Sequence, residues 1–426
     1  MKISVIIPTR SRARYLRETL QTVAVAIAAC PAEVEVVVSD NHSEDDTAYV
    51  CAQSGIAGLI HVRQPARLSM RQNFEAGLAA SSGSHVVFIG DDDGVAPHGL
   101  QRLQEIIASG DHDIFKWRVV NYIWPDPDRG RQGGVVLRTN KLSGRVRRIN
   151  PKTLLADFET ARINGYQSGA MIYHGCISRH LIDKVRAAQE GTYFWTTCPD
   201  VYASVANLLH AETDVLAVDI PITIGGASPR SNGTAGKEYT QTLKISPGSE
   251  YAKFVAELQG DPCLGRTPPT CPSINLVTID ALQLAHRFAG RKLHLNEAGW
   301  LTRVEAEIRP FPALLVADAR RQAAMLLGGV AAQIAALPSH GTFPTLPVVP
   351  EALPEPGART RVDISLAKVI ARGGEKMAGI VEASQVIDTL AGASTPFARL
   401  PGTTFGMVLR IVQLLRRAHA FRRANL

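Results

Sequence analysis

The chain has 426 residues, of which 45% are apolar and 20% charged. That excludes wholesale disorder and provides a core for two or three folded units. Its net charge of +7 is concentrated in two segments, which argues against a protein that coats nucleic acid and for local anionic partners.

Short apolar runs alternate with helical patterns through the first half. Strands are predicted at Ile3–Pro8, Val34–Ser39, Leu59–Val62, His85–Ile89 and Ile114–Trp117. Helices are predicted near Ala13–Ala29, Asp46–Gln53, Leu68–Ala80 and Pro97–Ser109. Such alternation specifies a mainly parallel sheet covered on both faces, with ligands bound beyond the carboxyl ends of its strands. The opening run Ile3–Ile7 reads as a buried strand rather than a secretory signal, and no apolar run is long enough to span a membrane. Six cysteines without CxxC spacing fit a reduced, cytoplasmic chain lacking structural zinc.

Between Asp128 and Asn150 the pattern dissolves into a loop or hairpin that carries Arg129, Arg131, Arg138, Lys141, Arg145, Arg147 and Arg148. Helices follow near Arg179–Gln189 and Pro199–His210, then one strand over Val215–Ile224. Gly225–Gly236 reads as a mobile loop. A helical region spans about Ser273–Ala336, and a proline-rich linker covers Pro338–Pro356. The chain ends in a helical segment with Arg399, Arg410, Arg416, Arg417, Arg422 and Arg423. Apolar Phe405, Val408, Val412 and Leu415 recur there at helical spacing. This amphipathic pattern fits an anionic membrane surface at its inner face, or equally a homo-oligomer contact.

Chemistry concentrates at three strand ends. The first strand ends in Pro8-Thr9-Arg10-Ser11-Arg12 and the second in Ser39-Asp40-Asn41-His42-Ser43, so adjacent parallel strands would set Thr9 beside Asp40. Val86-Val87-Phe88-Ile89-Gly90 then runs into Asp91-Asp92-Asp93-Gly94. Three neighbouring carboxylates repel one another unless a cation neutralises them, and hard oxygen ligands suit Mn²⁺ or Mg²⁺.

These motifs, with Arg67-Leu68-Ser69-Met70 and Asn73-Phe74-Glu75 between them, resemble in order and spacing the family 2 glycosyltransferases. The resemblance covers residues 1–110, weakens to about 235 and is absent beyond. It implies an inverting glycosyltransferase of α/β class. A GT-A-type nucleotide-sugar-binding sheet would be flanked by helices and followed by a mainly helical C-terminal region. On this reading residues 1–110 form the nucleotide-sugar-binding half of the domain and residues 111–236 the acceptor half. Residues 237–337 form a helical extension, 338–360 a linker and 361–426 a basic tail. Pro8, Thr9, Arg10, Arg71 and Asn73 would serve the donor, with Asp40 on its base. Asp91 or Asp92 would meet the ribose or a metal-bound water, and Asp93, with Asp91, the metal; the register of the DxD motif is open by one residue. Asp200, in the first turn of a helix opened by Pro199, is the expected base for the acceptor hydroxyl, with Asp157 and Glu159 as competitors. Arg230, in the glycine-rich loop, would meet the departing diphosphate. The implied partners are a nucleoside diphosphate sugar and a glycan or lipid-linked acceptor, not nucleic acid. A non-catalytic sugar-nucleotide or glycan-binding module of the same fold is the alternative.

Overall fold

The computed structural model describes residues 1–126, 134–136, 144–231, 233–234, 236, 239–240, 249–328 and 379–391. The expected linker and the basic tail from Phe405 to Arg423 lie outside the described residues, so neither the membrane nor the oligomer reading is addressed by them.

Two sheets organise the chain. The larger contains β1 (Lys2–Thr9), β2 (Glu33–Asp40), β3 (Ile60–Arg63), β4 (His85–Phe88), β6 (Ile114–Trp117), β9 (Val146–Ile149), β10 (Gly175–Ser178) and β11 (Val215–Val218). Its order is β3-β2-β1-β4-β10-β6-β11-β9. The smaller joins β5 (Gly94–Val95), β7 (Val120–Ile123), β8 (Gly134–Val136) and β12 (Thr223–Ala227) in the order β5-β12-β7-β8. The first four strands of the large sheet run parallel, as the βα alternation requires. β10 enters antiparallel between β4 and β6, and β9 closes the far edge antiparallel to β11, so the sheet as a whole is mixed.

Alternation along β1 and β2 divides the core into two layers, because successive side chains leave opposite faces. Ile3, Val5, Ile7, Val36 and Val38 pack beneath α1 (Ala13–Ala28), α2 (Thr47–Ala52) and α4 (Gly99–Ala108). Ile6, Val37 and Phe88 face α3 (Met70–Ala79), α5 (Pro151–Glu159), α6 (Arg179–Ala188) and α7 (Pro199–His210). That second layer continues through helices Ile274–Phe288, Glu297–Ile308 and Ala313–Leu327, so the helical extension shares a core with the sheet. Trp300 fixes the junction by donating its indole N–H to Phe158 O at 2.8 Å. No helix among the described residues is long and apolar enough to cross a membrane.

Two expectations are corrected. The single strand predicted over Val215–Ile224 is two strands in different sheets, broken after Val218 by a segment containing Pro221. Gly225–Ala227, read as the start of a loop, completes β12. The helix Glu250–Leu258 and strand β10 had no counterpart in the sequence reading.

At the amino end of the sheet, Glu35 gathers the Ser4 hydroxyl (2.8 Å), the Ser82 N–H (2.7 Å) and the Lys2 ammonium (2.9 Å). Burial works to raise its carboxyl, but these donors hold it down at about 2. A depressed carboxyl contributes stability above its unfolded value and loses it as pH falls toward the folded one. Glu35→Gln should therefore lower the melting temperature at pH 7, and the gap from the parent should close between pH 4.5 and pH 2. A gap independent of pH in a calorimetric series would show that Glu35 acts by packing alone.

Candidate active site

The parallel register places Thr9 opposite Asp40, as the two strand ends require. β4 continues the edge: Ile89 N–H donates to Ile6 O at 3.1 Å, so the acidic triplet emerges beside Thr9. Thr9 Oγ1 donates to Asp91 Oδ2 at 2.7 Å, and Arg12 Nη1 donates to Asp91 Oδ1 at 3.1 Å. The other terminal nitrogen of Arg12 donates to Arg230 O at 2.5 Å, so the glycine-rich segment is tied to the end of β1 through a carbonyl. The Arg230 side chain itself is exposed.

Asp40 is buried and accepts from Ser43 N–H (2.8 Å) and His61 Nε2 (3.0 Å). Burial opposes its ionisation, yet these two partners keep its carboxyl below the ordinary range.

The three acids of the triplet have different surroundings. Asp93 has both oxygens committed. Gly226 N–H reaches Oδ1 at 2.6 Å, while Gly90 N–H (2.5 Å), Tyr173 Oη (2.6 Å) and His174 Nε2 (3.2 Å) surround Oδ2. Burial would raise this carboxyl, but the His174 charge and these donors hold it low. Asp92, by contrast, accepts only the Ser228 N–H at 3.2 Å among the described residues. Burial, followed by the charges of Asp93 and Asp91, pushes its carboxyl up to about 7. The Ser228 hydroxyl beside it is fully buried and has no partner among the described residues. All three acids are buried, and Asp92 is the one with the fewest hydrogen bonds among the described residues, whereas Asp93 has both oxygens bonded within the protein.

The backbone of the triplet is fixed from behind. Thr19 Oγ1 lies 2.8 Å from Asp91 O and 2.6 Å from Asp93 O, and Trp124 Nε1 donates to Asp92 O at 2.8 Å. The segment 172–174 reaches it through an isolated bridge, because Phe88 N–H donates to Ile172 O and His174 N–H to Phe88 O, each at 3.0 Å. His174 sits at φ +54° there, and its Nδ1 meets Thr223 Oγ1 at 2.8 Å.

Asp200 lies in the first turn of α7, as expected from Pro199. Burial raises its carboxyl, countered partly by backbone N–H groups and by the charge of His174. Its own charge bears on Tyr173, which also bonds Asp93, so Asp200 and the triplet share one electrostatic neighbourhood. The competitors are engaged elsewhere. Asp157 pairs with Arg162 at 3.4 Å, and Glu159 with His286 at 3.0 Å.

Other expected donor residues are committed to internal bonds. Arg71 is buried in an ion pair with Asp261 (2.9 Å) and reaches Phe194 O at 3.4 Å. Asn73 Nδ2 donates to Ser39 O at 3.0 Å, while its Oδ1 accepts from Ser39 Oγ at 2.9 Å. Both anchor α3, and neither is open to a ligand through these groups. Glu75, on the same helix, accepts the N–H groups of Tyr193 and Phe194 at 2.6 Å each and so steadies the approach to Asp200. Arg10, next to Pro8 and Thr9, pairs with Glu257 of helix Glu250–Leu258.

Tyr173, His174, Trp124 and Arg12 touch the triplet, and the sequence reading gave none of them a place in the site. Gly226, read there as part of the mobile loop, touches it as well. A Cβ there would lie 1.7 Å from Asp92 O, whereas one at Gly225 would meet the Asn121 side-chain oxygen at 2.9 Å. Gly226→Ala should therefore displace β12 or the triplet, costing about 1–3 kcal/mol as overpacking does. Gly225→Ala, facing a movable side-chain end, should melt closer to the parent. Equal melting temperatures for the two variants would contradict this contact.

Over residues 4–176 the chain matches the family model described as glycosyl transferase family 2, which bears out the resemblance carried by the strand-end motifs. An uncharacterized glycosyltransferase from Nostoc sp. (strain PCC 7120) is 34% identical over 113 residues. That match takes in 26% of this chain and spans 34% of the relative's length. Among solved structures, S. aureus TarS 1–349 in complex with UDP-GlcNAc is 15% identical, with a TM-score of 0.41 over 76% of this chain and 86% of that one. The mannosyltransferase PcManGT from Pyrobaculum calidifontis, in complex with GDP-Man and Mn²⁺, is 16% identical, with a TM-score of 0.35 over 78% and 82%.

Proposed function

We propose that this chain transfers a sugar from a nucleoside diphosphate sugar to a hydroxyl acceptor, with inversion and with a divalent cation bound at the triplet. The observation that carries the reading is Asp92: a buried carboxylate between two others, with one hydrogen bond among the described residues, next to a buried hydroxyl that has no partner among them. Among the described residues no group of three or more His, Cys, Asp or Glu is arranged to hold a metal ion by itself. The proposal is therefore of Mn²⁺ or Mg²⁺ held through one or two carboxylates, with phosphates and waters completing the shell. When bound, the cation would neutralise charge on the departing diphosphate.

Asp92 is the ligand this reading favours over Asp93, whose oxygens are taken; Asp91, fixed by Thr9 and Arg12, stands next in line. Pro8, Thr9 and Asp40 would form the base and ribose edge. Arg12 and Arg230, joined through the Arg230 carbonyl, would face the diphosphate, with Arg10 reachable on exchange of Glu257. Arg71, Asn73 and Glu75 would hold the site's walls. Asp200 would accept the acceptor hydroxyl's proton, and burial keeps its carboxyl basic enough for that. A glycan or lipid-linked acceptor, with the basic tail at an anionic membrane, remains part of the proposal.

The test is a screen of UDP-, GDP-, dTDP- and CDP-sugars for hydrolysis and transfer, with Mn²⁺ and with chelator. The expected result is one nucleotide class turned over only with the metal. Binding without turnover of any donor or acceptor would favour the non-catalytic module, and no binding at all would sink both readings.

A further inference from the structure

The last described helix, Ile380–Ala391, lies far beyond the family match, yet it packs on α1, β5 and β7. Its apolar face, Ile380, Ala383 and Ile387, is buried with Tyr15, Tyr122, Trp124 and Ile224. Ile380 sits over Gly94, the residue after the triplet: a Cβ at Gly94 would be 3.2 Å from Ile380 Cγ1. Trp124, edge-on to Tyr15 with ring centroids 4.8 Å apart, is the residue that donates to Asp92 O.

Polar contacts pin both ends of this helix. Ile380 N–H donates to Glu18 Oε2 at 3.1 Å, and Glu18 immediately precedes Thr19, which serves the carbonyls of Asp91 and Asp93. Asp388 is buried; it accepts from His98 N–H (3.2 Å) and Nδ1 (2.7 Å), and pairs with Arg102 at 2.9 Å. The two fixings bracket the triplet, from Glu18 on one side to His98, four residues after Gly94, on the other. The Asp92 carbonyl is thus held by Trp124, which is buried with this helix, and the Asp91 and Asp93 carbonyls by Thr19, next to the Glu18 that the helix bonds. Holding the carbonyls restrains the backbone from which the carboxylates extend.

We propose that helix Ile380–Ala391 is a positioning element of the acidic site. Its docking on α1, Gly94 and Trp124 holds the Asp91–Asp93 backbone in the arrangement that receives a cation. The inference rests on the reading of the triplet as a cation- and diphosphate-binding site. Outer-shell supports of this kind set metal affinity without touching the metal. A helix that only contributed core area would lower stability and leave the triplet's local order intact.

The test uses the full-length chain with Asp388→Asn, Ile387→Ala and the conservative Asp388→Glu. Amide hydrogen exchange read by mass spectrometry follows two segments, 380–391 and 90–96. The second contains Val95 N–H on Thr22 Oγ1 (3.1 Å) and Ala96 N–H on Ile222 O (2.9 Å). Both segments should exchange faster in Asp388→Asn and Ile387→Ala under conditions where each variant is folded, and Asp388→Glu should restore part of the protection. Mn²⁺ affinity, read by electron paramagnetic resonance of the free ion, should weaken about 10–100-fold. Faster exchange confined to 380–391, with 90–96 protected as in the parent, would overturn the inference. A parent chain that binds no Mn²⁺ would instead overturn the cation reading, and the coupling of the two segments would still decide the role of the helix.

Discussion

Asp92→Asn is expected to remove Mn²⁺-dependent nucleotide binding while leaving the fold intact. Asp92 takes one hydrogen bond among the described residues, so an amide in its place strands no donor that another acid was serving. Loss of an outer-shell partner costs a metal site about 10–100-fold, and loss of the ligand should exceed about a hundredfold. The stability effect has the opposite sign. Burial and the neighbouring charges raise the Asp92 carboxyl to about 7, so the folded chain keeps a proton that the unfolded chain releases. Stability of the metal-free parent therefore declines as pH rises from the ordinary carboxylate range to about 7, and the amide escapes that decline. Metal-free Asp92→Asn should melt no lower than the parent at pH 8. Asp93→Asn should behave in the reverse way. Its amide nitrogen would face the N–H of Gly226 or of Gly90, leaving one buried donor unmade and lowering the melting temperature. Calorimetric titration of UDP and GDP, with and without Mn²⁺, separates the two variants. Metal-dependent binding that survived in Asp92→Asn and vanished in a well-folded Asp93→Asn would return the metal to Asp93.

The amino half of the site was legible because its grammar is local. Apolar alternation placed Ile3–Pro8 and Val34–Ser39 as adjacent strands, and a parallel register then forces Thr9 opposite Asp40. Pro199 opened its helix where a helix-starting proline should, which set Asp200 in the first turn. What stayed hidden depends on contacts between distant segments. Gly225-Gly226 reads as a chain breaker, yet the glycine is there because β12 passes within side-chain distance of Asp92 O. Tyr173 and His174 belong to no motif of the sequence. Their contacts with Asp93 follow from a short pairing with Phe88 that no periodicity announces. Arg71 and Asn73, expected at the donor, are bonded to Asp261 and Ser39, because a basic or amide group on a buried helix face must find internal partners first. The division of work among Asp91, Asp92 and Asp93 was likewise unreadable: three identical residues differ only in what surrounds them.

Asp200→Asn should lower turnover by about two to four orders of magnitude, the range that general base catalysis contributes. The amide keeps the side chain's size and its place in the first turn of α7 but cannot take a proton. Donor affinity should stay near that of the parent, since the triplet and the Thr9–Asp40 edge are built from other elements. The loss should therefore fall on kcat, with little change in the dissociation constant for the donor; such a split identifies an interaction made in the transition state. Slow hydrolysis of the donor by water should persist in the variant if Asp200 serves the acceptor alone. The competing acids predict a different pattern. Asp157→Asn should be nearly silent, because that side chain pairs with Arg162 at the surface. Glu159→Gln should cost stability rather than rate, because Glu159 joins α5 to His286 of the helical extension. Steady-state transfer rates with a productive donor, alongside melting temperatures for all three variants, would decide the assignment. Transfer at the parental rate by Asp200→Asn would remove Asp200 from the mechanism, and a rate loss in a stable Asp157→Asn or Glu159→Gln would name its replacement.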